Sequence, residues 1–392
     1  MEISPTPAAA ATGIQPATLF VALELSKAKW LVGLHSPAAD KISRHTIAGG
    51  DAPALLSLIE VARRRAEASL GGEVQVVACY EAGYDGFWLH RLLEAGGIHN
   101  SVLDSASIQV SRRRRRLKTD RTDAESLLRV FMAWHRGERQ ACSVVRVPSP
   151  EDEDMKRLHR SRANLLRERV RHVNRIRGLL HLQGVVHVHP HREGWAAALP
   201  GLQTRDGRRF PPQLMSEIKR EAKLLELVKK LLREVDLELV ALVRAKRLHR
   251  RSCERSNPHP IASKLVSIRG IGPTLAAVLA TELFYRRFDN RRQVASYTGL
   301  SPTPYSSGGT SRDQGISKAG NQRARSNAVE LAWLWLRHQP ESRLAAWYRD
   351  RVTSAKGRLR RIAIVALARK LVVALWRFVE TGLVPEGVVL KA

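Results

Sequence analysis

Hydrophobic residues in the first hundred positions come in short runs broken by polar turns, and these runs alternate with longer stretches of helical spacing. Leu19-Phe-Val-Ala-Leu-Glu-Leu is a compact apolar run, and Trp30-Leu-Val-Gly-Leu-His follows it across Ser26-Lys27. Two such runs with a polar turn between them predict an antiparallel hairpin. Helical spacing follows over residues 52–70, then a strand at Val74-Gln-Val-Val-Ala-Cys-Tyr, a helix over 86–95 and a short strand at His99-Asn-Ser-Val-Leu. Strands alternating with helices imply an α/β sheet. A further helix is expected from Asp123 to about Trp134.

Beyond Pro150 the strand pattern disappears. Leu158, Leu165, Val173, Ile176 and Leu180 recur at helical spacing with arginines between them, and residues 213–250 form a second long segment rich in Leu, Lys and Glu. Two such helices can pair with each other or join a coiled coil with another subunit. The intervening loop holds His187, His189 and His191 without a Cys or carboxylate spaced to complete a metal site. Solvent-exposed loop histidines are expected there. The last third opens with Val266-Ser-Ile-Arg-Gly270-Ile-Gly272-Pro, which has the form of a helix-hairpin-helix turn. Its two glycines would let backbone N–H groups approach a phosphate; the alternative is an ordinary inter-helix turn. Two more helices are expected after Arg325. These divisions predict a tail over 1–17, an α/β domain over 18–148, a basic helical region over 149–260 and a mainly helical domain over 261–392.

Charge changes the picture. The 392 residues carry 66 Lys+Arg against 37 Asp+Glu, a formal net charge of +29. An excess of this size calls for a polyanionic partner, nucleic acid first. No apolar run approaches the roughly 18 residues of a membrane span. The N-terminus lacks a basic segment followed by a long apolar one, so no signal peptide is expected. Cys79, Cys142 and Cys253 are far apart, which fits a reducing cytoplasm and argues against a zinc ribbon.

The chemistry concentrates on carboxylates. Arg112, Arg113, Arg114, Arg115 and Arg116, with Lys118, run directly into Asp120 and Asp123. Acids three apart share one helix face and can hold a divalent cation, although acids at a helix start also suit the helix dipole. Glu24 interrupts an apolar strand, and Glu81 ends another. A carboxylate inside such a strand is costly to bury unless it is paired or binds a cation, and the end of a strand is where α/β proteins place their sites. Oxygen donors without Cys/His clusters favour Mg²⁺, or Mn²⁺, over zinc. Four such acids could hold two ions across a scissile phosphate in a ribonuclease-H-like fold.

With these residues in view, the sequence resembles the DEDD transposases of bacterial insertion sequences, relatives of the Piv/MooV DNA invertases. The N-terminal resemblance lies in Val21-Ala-Leu-Glu24-Leu-Ser-Lys, Tyr80-Glu81-Ala-Gly-Tyr and Lys118-Thr-Asp120-Arg-Thr-Asp123-Ala. The C-terminal one lies in Ile268-Arg-Gly-Ile-Gly-Pro, Tyr297-Thr-Gly-Leu-Ser-Pro, Ser307-Gly308 and Gly315-Ile-Ser-Lys-Ala-Gly-Asn-Gln-Arg-Ala-Arg. Together the blocks run from about Leu19 to Trp335.

The resemblance implies a RuvC-like catalytic domain with Glu24, Glu81, Asp120 and Asp123 as metal-binding acids, and Ser307 as nucleophile. Ser306 is the neighbouring alternative, less favoured because Gly308 gives the backbone beside Ser307 room to approach DNA. It further implies DNA as substrate, a structured non-coding guide RNA as partner, and nucleic-acid contacts from the arginine run, Gly270, Gly272, Lys318, Arg323 and Arg325. A homodimer or homotetramer at the bacterial nucleoid is expected. One position departs from the pattern: the family's first acid is usually Asp, and here it is Glu24. The alternatives are a RuvC-type junction nuclease and a catalytically impaired nucleic-acid-binding protein.

Overall fold

The computed structural model describes residues 17–108, 120–243, 259–307, 310–353 and 357–391, with side chains at 106, 120–123, 305, 307 and 310–313 left out. The chain divides into two compact units, Met1–Val147 and Pro148–Ala392. The basic helical region and the C-terminal domain, expected as separate pieces, thus fall within one unit.

The first unit is a five-stranded sheet. Its strands are β1 (Ala17–Leu25), β2 (Lys29–His35), β3 (Ile42–Ala48), β4 (Val74–Glu81) and β5 (His99–Leu103), in the order β3-β2-β1-β4-β5. β1, β2 and β3 form an antiparallel meander; β4 runs parallel to β1, and β5 parallel to β4. This order is compatible with the expected RuvC-like arrangement. The helices are α1 (Ala52–Leu70), α2 (Trp88–Ala95) and α3 (Asp120–His135). Asp51 caps α1 by accepting from Ala54 N at 3.0 Å, and Gly71 ends it at φ +68°.

β1 lies in the middle of the sheet and is covered on both faces, which is why its sequence is almost continuously apolar. Leu19, Val21 and Leu23 point to one side, with Leu55 and Ile59 of α1 and Leu89 and Leu93 of α2. Phe20 and Ala22 point to the other, with Val77, Cys79 and Leu127, Leu128 and Phe131 of α3. Each buried Val, Leu, Ile or Phe side chain among them contributes about 1.5–3 kcal/mol.

The second unit is helical. α4 (Pro150–His181) and α5 (Pro212–Val243) each span 32 residues. Ser149 caps α4 by accepting from Asp152 N at 3.1 Å, Pro150 opens it, and Glu151, Asp152 and Glu153 occupy its first turn. All three features favour a helix start. Val173, Ile176 and Leu180 of α4 pack against Ile218, Ala222 and Leu225 of α5. The arginines between these apolar positions face outward. Within the loop joining the two helices, His189 and His191 lie 5.6 Å apart by ring centroid, and no metal-holding group of three His, Cys, Asp or Glu occurs among the described residues.

After α6 (Pro260–Val266) and α7 (Pro273–Val278), a π-helical turn continues over Leu279–Leu283. α8 (Arg291–Tyr297) leads to a two-stranded ribbon, β6 (Pro302–Ser307) and β7 (Thr310–Ile316). Then come α9 (Gln322–His338), α10 (Arg343–Val352) and α11 (Arg358–Thr381), three helices where two were expected. Their core joins Leu275, Leu279, Leu331, Trp335, Leu367 and Leu371. Among the described residues, no helix is long and apolar enough to cross a membrane.

Candidate active site and nucleic-acid interface

In the first unit, strand register sets two of the four expected acids side by side. Leu23 of β1 pairs with Tyr80 of β4. Glu24 and Glu81 are the next residues on these two parallel strands, so they share a face. That face is the one α3 covers, because Glu24 alternates with Phe20 and Ala22, and Glu81 with Val77 and Cys79. Glu24 is half-buried and Glu81 is exposed.

α3 runs antiparallel to β1. The Phe131 and His135 rings lie 6.1 and 5.2 Å from the Phe20 ring. Further back along the helix, a Cβ at Gly33 would meet Ala124 O at 3.7 Å and Leu128 Cδ2 at 3.8 Å, and Gly33 pairs with Ala22. The helix axis therefore carries its first turn, which holds Asp120 and Asp123, toward the Glu24 end of β1. The side chains of Asp120 and Asp123, and the whole of Arg112–Arg116 and Lys118, lie outside the described residues. Lys27 and Tyr84, which the sequence reading did not single out, also belong to these strand ends. Lys27 Nζ lies 4.6 Å from the centroid of the Tyr84 ring, which is 85% exposed. An exposed aromatic capped by a cation is a ready stacking surface for a base.

In the second unit, Ser307 ends β6 opposite Thr310 of β7. Its side chain is outside the described residues. Ser306 is exposed and pairs with Ser311. Lys318 follows the ribbon at φ +57°, exposed, and Arg323 is exposed on α9. Arg325 is engaged inward: its Nη1 donates to Thr298 O at 3.3 Å and Lys318 O at 2.9 Å.

The glycine turn is built differently from a bare phosphate cradle. Gly270 has φ +93°, and a Cβ there would lie 2.8 Å from His338 Cβ, so close packing against α9 by itself requires glycine. The C-terminal segment straps the turn. Arg269 N donates to Val389 O at 3.1 Å, and Lys391 Nζ donates to Val266 O at 2.6 Å and Ile271 O at 2.7 Å. Buried Gln339 holds the strap by donating to Arg269 O and Val389 O and accepting from Val389 N. Gly272 has open space around it and caps α7.

A buried polar cluster joins α4 to the π-helical turn. Glu282 is 3% exposed and His159 4%. Arg160 Nε and Nη2 each donate to Glu282 Oε1 at 2.9 Å, with His159 Nε2 at 3.5 Å. Burial pulls the Glu282 carboxyl upward, but the Asn321 hydrogen bond and the Arg160 charge outweigh it and hold it below its ordinary value. Burial, opposed by the Glu282 charge, pushes His159 down to about 4.

A free histidine titrates near 6.5, so below that value the unfolded chain takes up a proton that the folded chain refuses. Stability therefore falls as pH drops from about 6.5 toward 4. Glu282 extends the loss below about 4.5, because its depressed value makes the folded state bind fewer protons there too. The His159 contribution is on the order of 2–3 kcal/mol. Urea unfolding of wild type and His159→Gln at pH 7 and 4.5 checks it, and the variant is expected to show the shallower pH dependence.

Comparison with known proteins finds two profiles, the first of which crosses the boundary between the units and takes in α4. A DEDD transposase profile matches residues 26–184, and the profile of the transposase IS116/IS110/IS902 family matches residues 262–346. The chain is 47% identical over 378 residues to the putative transposase y4rJ of Sinorhizobium fredii, covering 95% of this chain and 94% of that one. It is 29% identical over 328 residues to the putative transposase y4qE of the same organism, covering 77% and 74%. It is 29% identical over 241 residues to the transposase for insertion sequence element IS1328 of Yersinia enterocolitica, covering 60% and 66%. The match to the first of these runs nearly end to end, through both units, and the chain belongs to the IS116/IS110/IS902 family of DNA transposases.

Proposed function

We propose that this transposase recombines insertion-sequence DNA with Ser307 as its nucleophile and Glu24, Glu81, Asp120 and Asp123 as a divalent-metal site, guided by a structured RNA. The observation that carries the reading is the β1–β4 register: two carboxylates meet at adjacent strand ends, on the face toward which the first turn of α3 runs. DEDD transposases typically use a divalent metal, and the donor set suits Mg²⁺ or Mn²⁺, being all hard oxygen. A bound ion would neutralise charge on the phosphate and help activate an oxygen nucleophile.

The serine step balances without any further reactant. The Ser307 Oγ–P bond forms as the P–O3′ bond breaks, the serine proton passes to a base, and the departing 3′-oxygen takes one up. The covalent 5′-phosphoserine link conserves the bond for rejoining. The arginines along α4 would hold RNA by shape and phosphate, leaving sequence choice to base pairing. The long α4 and α5 helices suit assembly as a homodimer or homotetramer.

Sequencing the nucleic acid that co-purifies with the protein, expressed together with its native flanking DNA, tests this reading. A discrete flanking-encoded RNA and covalent protein–DNA adducts are expected. Random RNA with no adduct would sink the guided serine mechanism in favour of a nuclease or a binding protein.

A further inference from the structure

The β6–β7 ribbon poses a mechanical question. It is two strands only, its described side chains are mostly exposed, and no third strand joins it among the described residues. A lone two-stranded ribbon is marginal by itself, so its direction is set where it leaves the domain.

That root is heavily constrained. Ser317 N donates to Ser301 O at 2.8 Å, Lys318 N to Gly299 O at 3.1 Å, and Asn321 N to Tyr297 O at 2.7 Å. The two chain segments touch at glycines: a Cβ at Gly299 would fall 2.0 Å from Ala319 O, and one at Gly320 would fall 2.3 Å from Tyr297 O. Asn321 joins three elements at once. Its Oδ1 caps α9 by accepting from Ala324 N at 3.0 Å, while its Nδ2 donates to Glu282 Oε2 at 3.0 Å and Glu282 O at 3.2 Å.

Glu282 is itself held from the far side by Arg160 of α4, with His159 Nε2 3.5 Å away. Lys156 Nζ of α4 lies 3.9 Å from the Tyr285 ring centroid, and the Tyr285 hydroxyl lies 3.3 Å from that of Tyr297 at the ribbon root. Ionic clusters buried this deeply are often matched or bettered in stability by apolar packing, so geometry is the better account of this one. The π-helical turn that presents Glu282 is a rare conformation, frequent at functional sites.

We propose that Glu282 is a positioning residue: acting through Asn321, it sets the direction of the β6–β7 ribbon and couples that ribbon to basic helix α4. The proposal rests on the reading of Ser307 as nucleophile, since that is what gives the ribbon's direction a catalytic consequence.

Asn321→Ser separates this role from general stability. Serine caps a helix as well as asparagine does, but it lacks the amide that reaches Glu282. In the full chain, backbone hydrogen exchange over residues 302–316 is expected to rise about tenfold, the equivalent of one lost hydrogen bond, while α9 and α11 stay at wild-type protection. At saturating DNA, single-turnover adduct formation is expected to fall by a similar factor with DNA affinity unchanged. Glu282→Gln, which keeps the shape and loses the charge, should act in the same direction. It serves as the test if Asn321→Ser does not fold.

Wild-type exchange in the ribbon overturns the proposal, and so does an equal rise throughout α9, which would mark the cluster as a plain stabiliser. The exchange measurement does not depend on the chemistry. If wild type forms no adduct, the Ser307 reading fails while the clamp is still judged by exchange alone.

Discussion

Ser307→Ala is expected to abolish covalent protein–DNA linkage and to lower recombination by roughly 10³-fold or more. The change deletes one oxygen near the end of an exposed ribbon, so its structural cost should stay within about 0.5 kcal/mol. RNA and DNA affinity should therefore hold while the chemical step disappears. Denaturing gels of protein trapped on labelled donor DNA give the readout. Ser306→Ala is the necessary companion, because Ser306 is exposed in the same strand and pairs with Ser311. Adducts that survive Ser307→Ala and vanish with Ser306→Ala would move the nucleophile by one residue. DNA hydrolysis untouched by either change would leave a metal-dependent nuclease.

Glu81→Gln is expected to reduce metal-dependent cleavage by about 10³-fold, since a carboxylate ligand to a catalytic cation carries several kcal/mol of transition-state stabilisation. Glu81 is exposed at the end of β4, and the amide keeps its volume, so the sheet should fold unchanged. Titrating Mg²⁺ and Mn²⁺ against cleavage rate separates weaker metal binding from loss of fold: a binding defect shifts the midpoint, and excess Mn²⁺ recovers part of the rate. A wild-type rate at ordinary Mg²⁺ would remove Glu81 from the site. Glu24→Asp is the complementary variant. It withdraws the carboxylate by one methylene, roughly 1.5 Å. A higher rate would show that Glu24 holds the site off its best geometry, and a lower one that this chain is adjusted to the longer acid.

Both experiments use positions that could be read from the sequence, and the reasons they could be read are local. Apolar runs such as Leu19–Leu25 and Val74–Tyr80 stand out because strands buried on both faces must be apolar almost throughout. A charged residue inside or at the end of such a run, as with Glu24 and Glu81, is then conspicuous. The long helices α4 and α5 were legible through their periodicity; α5 begins at Pro212 against the expected 213, and the expected end at 250 lies outside the described residues.

Elements without a buried face were harder to see. β3 (Ile42–Ala48) escaped notice because it is an edge strand whose Ser43, Arg44, His45 and Thr46 give little apolar alternation. The β6–β7 ribbon escaped for the same reason, with prolines at 302 and 304 further weakening its strand pattern. Gly270 was expected to make room for phosphate, whereas packing against His338 already accounts for the glycine.

The sequence by itself determined the α/β-then-helical order of the chain, its demand for a polyanionic partner, and the family motifs with their acids and serine. All of these are properties of neighbouring residues or of sums over the chain. Tertiary structure alone decided which side chains meet. It set Glu24 beside Glu81 through strand register, closed the C-terminal strap over the glycine turn through Gln339, and joined Arg160 to Glu282 across 122 positions of sequence. Periodicity reports which face of an element is buried. It carries no information about which distant polar group will satisfy a buried charge, and that choice is made only when the elements pack.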